Sequence, residues 1–193
     1  MNAALKGAAG KAMSMKAAQF GRRALVAAAG TAVIARASQA QVSAPAQGSL
    51  RRPTQPPFLT ITGKLRVKND GEAAVFDREM LEALGSATIT TNSPWYEGPV
   101  RFDGVPMVKL MEAIGAEGKT LTAVALNDYS TDIPIDDFER FGVLLATRRD
   151  GAPMRISDRG PLFIIYPYDA NPVLRARLYY SRSAWSVAQM VVR

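Results

Sequence analysis

The chain has 193 residues and a formal charge of +7, with no cysteine and no histidine. Those two zeros exclude disulfides, thiolate or imidazole zinc sites, cysteine nucleophiles and serine-histidine triads, so any chemistry rests on other side chains or on a bound cofactor. The charge is unevenly spread: residues 1–40 hold six basic side chains and no acid, leaving 18 basic and 17 acidic residues in the remainder, which removes the ground for a nucleic-acid partner.

Residues 1–40 have the order of a secretory signal peptide: cationic through Arg23, apolar from Ala24 to Ala35, and small at Ser38 and Ala40, where cleavage is expected. The apolar run is too short for a hydrocarbon core of about 30 Å, so no permanent membrane anchor is expected. Arg22-Arg23 admits twin-arginine export as well as ordinary secretion. The expected location is the periplasm. Residues 41–57, with Pro53, Pro56 and Pro57 among Gln and Ser, read as an extended linker. The remaining residues, 58–193, suffice for one domain.

That domain opens with a strand-like pattern over Phe58–Val67, closed by the Asn69-Asp70-Gly71 turn. Asp77 is placed to cap a helix running to Leu84, with Gly85 as its stop. Ala87–Thr91 follows as a β-branched strand. A loop containing Pro94, Trp95, Gly98 and Pro99 then leads to Val100 and Phe102. Pro106 opens a second helix, whose Met107, Leu110, Met111 and Ile114 form one apolar stripe ending at Gly115.

The second half is richer in strands. Leu121–Leu126 and Tyr129–Ile133 form a hairpin across Asn127-Asp128, and Asp136 with Glu139 has the spacing of a capping box for a short helix. Val143–Thr147 pairs across Asp150-Gly151 with Ala152–Ile156. A buried strand over Leu162–Tyr166 and a terminal strand over Ser186–Val192 complete the elements. Strands interrupted by a few short helices, without βαβ alternation, predict an α+β domain with mixed sheets. Nucleotide cofactors are not expected, because there is neither a Walker pattern nor a dinucleotide fingerprint.

Four segments in order carry a resemblance. They are Phe102-Asp103-Gly104-Val105-Pro106-Met107 with Lys109, Leu110 and Met111; Leu126-Asn127-Asp128-Tyr129-Ser130 with Ile133-Pro134; Val143-Leu144-Leu145-Ala146 with Asp150-Gly151-Ala152-Pro153-Met154; and Gly160-Pro161-Leu162-Phe163-Ile164-Ile165-Tyr166-Pro167. Together the chain resembles the molybdopterin-binding domain of the sulfite oxidase family across about residues 58–192. The resemblance implies that family's fold, a molybdopterin cofactor and oxidoreductase chemistry at molybdenum.

It also implies a molybdenum-ligating cysteine in the stretch Thr90-Thr91-Asn92-Ser93-Pro94-Trp95, which has none. The family's strand arginine is Phe163 here, and its Val-Lys-Trp stretch is Ser183-Ala184-Trp185. Thr91, Asn92, Ser93, Trp95, Asn127, Asp128, Tyr129, Arg182 and Trp185 are therefore the candidate cofactor-binding residues, with no metal ligand and no assigned catalytic residue. Each has a plainer alternative: loop and hairpin-turn hydrogen bonding for the polar residues, solvation for the arginine. Tyr166, Tyr168, Tyr179, Tyr180 and Trp185 either rim a binding face or pack the C-terminal strands.

Three functions remain open from this reading. The first is an exported protein of this fold with redox activity altered or lost. The second is a molybdopterin oxidoreductase with an oxygen, from Ser93, Thr91 or solvent, in place of the thiolate. The third is a non-catalytic module that binds a small molecule or a membrane-bound sensor or redox partner.

Overall fold

The computed structural model describes residues 49–193; residues 1–48, on which the expected signal segment and the first part of the expected linker fall, lie outside the described residues. The elements run β1 (Leu59–Gly63), β2 (Ala74–Phe76), α1 (Arg78–Glu82), β3 (Ala87–Ser93), β4 (Tyr96–Pro106), α2 (Met107–Ile114), β5 (Thr120–Ala125) and β6 (Ser130–Pro134). They continue with α3 (Asp136–Phe141), β7 (Leu144–Arg149), β8 (Ala152–Pro153), β9 (Phe163–Ile165), α4 (Arg177–Arg182) and β10 (Val187–Val192). Strands segregated from short helices make this an α+β protein, as the sequence pattern predicts.

The terminal strand is central to the first sheet, whose order is β2-β1-β10-β5-β6. β10 runs parallel to β1 and antiparallel to β5, so the sheet is mixed. The second sheet, β3-β4-β7-β8 with β9 also on β7, is antiparallel throughout. Backbone hydrogen bonds join the two sheets where β9 meets the approach to β10: Ile164 donates to the Ala184 carbonyl and Val187 to that of Leu162. Phe163 and Trp185 face each other there as an isolated bridge.

One apolar core lies under both sheets. The stripe expected on α2 is its main helical contribution, with Met107, Leu110, Met111 and Ile114 all buried. Each such side chain contributes about 1.5–3 kcal/mol on removal from water. Gly115 ends the helix in the left-handed conformation, φ 57°.

Several sequence expectations are corrected. The first strand stops at Gly63, where φ of 97° turns the chain, so Val67 is not part of it. Gly98 and Pro99 lie within β4 rather than in a loop, because a register shift after Thr91 leaves both outside the ladder. That shift confines the turn to Pro94-Trp95. The Asp136–Glu139 capping box does not form: Ile135 is the N-cap without a side-chain bond, and both acids lie inside α3. Ala152–Ile156 pairs only over Ala152–Pro153 and then enters a 3-10 turn, Ile156–Asp158. Finally, α4 has no buried residue and hence no apolar stripe by which the sequence could announce it.

Asp77 anchors the start of the domain. Its carboxylate caps α1 by accepting from Met80 N at 2.8 Å, and it accepts from Thr54 N and the Arg51 guanidinium at 3.0 Å each. Residues 51–54 of the expected linker are thus held against the domain. Burial pushes this carboxyl up, but the hydrogen bonds from Met80, Thr54 and Arg51 outweigh it and set the value at about 2.

Because the folded value lies below the unfolded one, the stabilisation from Asp77 is complete above about pH 4 and disappears as pH falls towards 2. Asp77→Ala should lower the Tm at pH 7, and thermal scans should show this difference shrinking through that acid window. Gly104→Ala should prevent stable folding, since a Cβ there would meet the Leu145 carbonyl where β4 crosses β7. Circular dichroism of the variant checks it.

Candidate functional site

The short Pro94-Trp95 turn brings the end of the β3–β4 hairpin against the β5–β6 turn and the segment before β10. Pro94, Trp95, Asn127, Tyr129, Tyr180 and Trp185 are among the residues around a cavity of about 280 Å³. α4 closes one side with Arg177, Tyr180 and Ser181, and Ser183 follows. Four of the nine candidates, Trp95, Asn127, Tyr129 and Trp185, therefore share one cleft. A second cavity of about 300 Å³ adjoins it at Tyr180 and is lined by Asn92, Ser93, Tyr168, Asp169 and Arg175.

Trp95 is the hub of the aromatic wall. Its ring lies 5.4 Å from Phe163, 5.6 Å from Trp185 and 6.1 Å from Tyr180, all edge to face. Such pairs prefer this geometry because positive ring edges meet negative faces. Phe163, standing where the resemblance implies an arginine, is wholly buried and belongs to this cluster.

The polar candidates divide sharply. Thr91 is buried, and its hydroxyl accepts from Asp169 N at 3.1 Å and donates to the Asn92 carbonyl. Asn92 donates through both its backbone N and its side-chain amide to Asp169 Oδ2, at 2.7 and 2.8 Å. These bonds from Asn92, reinforced by Arg175, hold the Asp169 carboxyl below its ordinary value. Thr91 and Asn92 are thus a latch between β3 and the Asp169 loop. Ser93 differs, since its Oγ is buried and has no partner.

Asn127 and Asp128 make the hairpin turn: Asn127 Oδ1 accepts from Tyr129 N, and Asp128 has φ of 64°. Asp128 lines neither cavity. The Tyr129 hydroxyl donates to the Ser181 carbonyl at 3.0 Å, tying the turn to α4.

Arg182 is directed away from the cleft chemistry. Its Nη1 and the Tyr166 hydroxyl both donate to Asp137 Oδ2, each at 2.8 Å. Burial, followed by the Asp137 carboxylate, pushes the Tyr166 phenol well above its ordinary value. Asp137, which stands between the two acids read as a capping box and was not one of them, is buried and holds α4 through Arg182.

Of the five aromatics, Tyr166 and Tyr168 pack in the core, while Tyr180 and Trp185 line the cleft. Tyr168 is further bonded to the Ser183 hydroxyl. Arg177, Ser181 and Ser183 were not among the sequence candidates: Arg177 and Ser181 lie on α4, which has no fully buried face to announce it, and Ser183 stands in the Ser183-Ala184-Trp185 stretch, of which only Trp185 was a candidate.

No protein-family model matches this chain, and a search of curated proteins finds no match either.

Arg182→Ala leaves the Asp137 carboxylate without its cation. Urea denaturation should show a loss of about 2 kcal/mol, the scale of a hydrogen bond to a charged group, and Tyr166→Phe a loss of about 1 kcal/mol.

Proposed function

We propose that this is an exported protein with the sulfite-oxidase-type molybdopterin-binding fold, in which cysteine-held molybdenum is absent and redox activity is altered or lost. In this reading its cleft receives a small polar ligand, and a membrane-bound sensor or redox partner in the periplasm responds to the loaded state. One observation carries the reading. Residues from three stretches that the resemblance assigns to the cofactor region, Trp95, Asn127 with Tyr129, and Trp185, are distant in sequence and line one cavity.

The donor set does not fit a thiolate-held molybdenum. The chain has no cysteine. Among the described residues no group of three His, Cys, Asp or Glu side chains converges to hold a metal. Ala184, beside Trp185, is buried where the resemblance implies a lysine.

What remains is a binding chemistry. Asn127, Ser181 and Ser183 offer hydrogen bonds, Arg177 offers a charge, and the two indoles form an apolar wall. The unpartnered Ser93 Oγ favours a second reading in which a bound cofactor takes this oxygen in place of the thiolate.

Protein purified from a molybdopterin-competent host should contain no stoichiometric molybdenum and release no fluorescent pterin on oxidative extraction. A small polar ligand from a periplasmic panel should raise its Tm, and Trp185→Ala should abolish that rise. Stoichiometric molybdenum that disappears in Ser93→Ala would overturn this in favour of the second reading.

A further inference from the structure

Beside the central cleft, Leu126, Asn127, Ile156, Ser157, Arg159 and Trp185 are among the residues lining a recess of about 530 Å³. It shares Asn127 and Trp185 with the cleft. Leu126 is 51% exposed and Ile156 65%, so these side chains project outward instead of lining an enclosed pocket. Six large apolar residues are exposed among the described residues, and four of them, Leu126, Tyr129, Ile156 and Trp185, belong to this recess or the cleft. Apolar surface concentrated in this way marks an interaction site.

The backbone beneath it is fixed in an uncommon conformation. Asp128, Arg159 and Ser186 have φ of 64°, 61° and 52°. Ser186 N donates to the Arg159 carbonyl at 3.1 Å, and Leu126 N to the Ser186 carbonyl at 2.9 Å. Three loops from distant parts of the chain are thereby joined. Left-handed non-glycine residues persist only where their surroundings determine them, and they cluster at functional surfaces. A surface ordered in advance binds with less entropic cost.

The charged side chains that line the recess and the cleft are Arg159 and Arg177, while the Asp128 carboxylate is exposed on the turn between Asn127 and Tyr129. Arg159 is half-buried, and its guanidinium lies 4.7 Å from the Tyr96 ring centre and 5.9 Å from that of Trp185. Neither Arg159 nor Arg177 pairs with a carboxylate among the described residues. No carboxylate lines the recess or the cleft. A guanidinium stacked on rings keeps its N–H donors free for an incoming carboxylate.

We infer that this surface docks a segment of a partner protein in which apolar side chains are flanked by aspartate or glutamate. The apolar residues meet Leu126, Ile156 and Trp185, while the acids meet Arg159 and Arg177. Trp, Tyr and Arg are the residue types that dominate binding energy at protein interfaces. The outward projection of Ile156 and Leu126 favours a protein segment, because a small ligand is enclosed by its pocket. The inference stands without the molybdopterin-type reading and does not use Ser93.

The test is a random-peptide phage selection on the full chain, with binding then measured to Ile156→Asp and Arg159→Gln variants whose Tm shows them folded. Selected peptides should combine apolar residues with Asp or Glu and bind each variant about tenfold or more weakly. Peptides lacking acids, equal binding to both variants, or no enrichment at all would overturn the inference. Self-association abolished by Ile156→Asp would assign the surface to a second copy of the chain. Retention on anionic phospholipid vesicles abolished by the same change would assign it to lipid. Either result also overturns it.

Discussion

The pairing of residues 162–164 with residues 184–187 is the constraint on which the rest of the molecule depends. Ile164 and Val187 donate across it, and Phe163 bridges to Trp185. Through it the antiparallel sheet is attached to the mixed sheet a few residues before β10 enters between β1 and β5. Backbone polar groups leaving a sheet edge must find partners when buried, and this seam supplies them. It also fixes where Trp185 stands, and with Trp185 the position of the whole cleft.

The division of labour among polar residues follows from the same constraint. Groups that hold segments together have bonded partners: Asp77 at the start of the domain, Asp169 with Thr91 and Asn92, and Asp137 with Arg182 and Tyr166. Groups without such a partner, Ser93 Oγ, the guanidinium of Arg159 and the buried hydroxyl of Tyr96 over whose ring Arg159 lies, are at or beside the cavities. A buried carboxylate without a cation is costly, and the two buried ones, Asp77 and Asp137, each have an arginine. What stays unpaired is therefore the more informative set for binding.

Much of the architecture was legible. The α2 stripe, the Asp77 cap and the β5–β6 hairpin follow from local periodicity and turn chemistry, and all three are present. The extent of β4 was hidden because Gly98 and Pro99 read as loop residues, whereas a register shift absorbs them inside the strand. α4 was hidden because none of its residues is fully buried: Tyr179 and Tyr180 only half-bury against the core, and the helix is held by Arg182, Tyr129 and ring contacts from other elements. Of the candidate residues, Trp95, Asn127, Tyr129 and Trp185 line one cavity. Thr91, Asn92 and Arg182 take part in ties between segments, since which carboxylate each would meet is a long-range fact absent from local sequence.

The T-shaped pair of Trp95 and Trp185 has a further consequence. These are the two tryptophans of the chain, and their rings are 5.6 Å apart. All indole emission therefore originates at a single locality, and two neighbouring chromophores held at a fixed angle interact when they absorb. The native protein thus carries its own optical reporter, sensitive to solvent entry and to small changes in ring orientation, with no label attached.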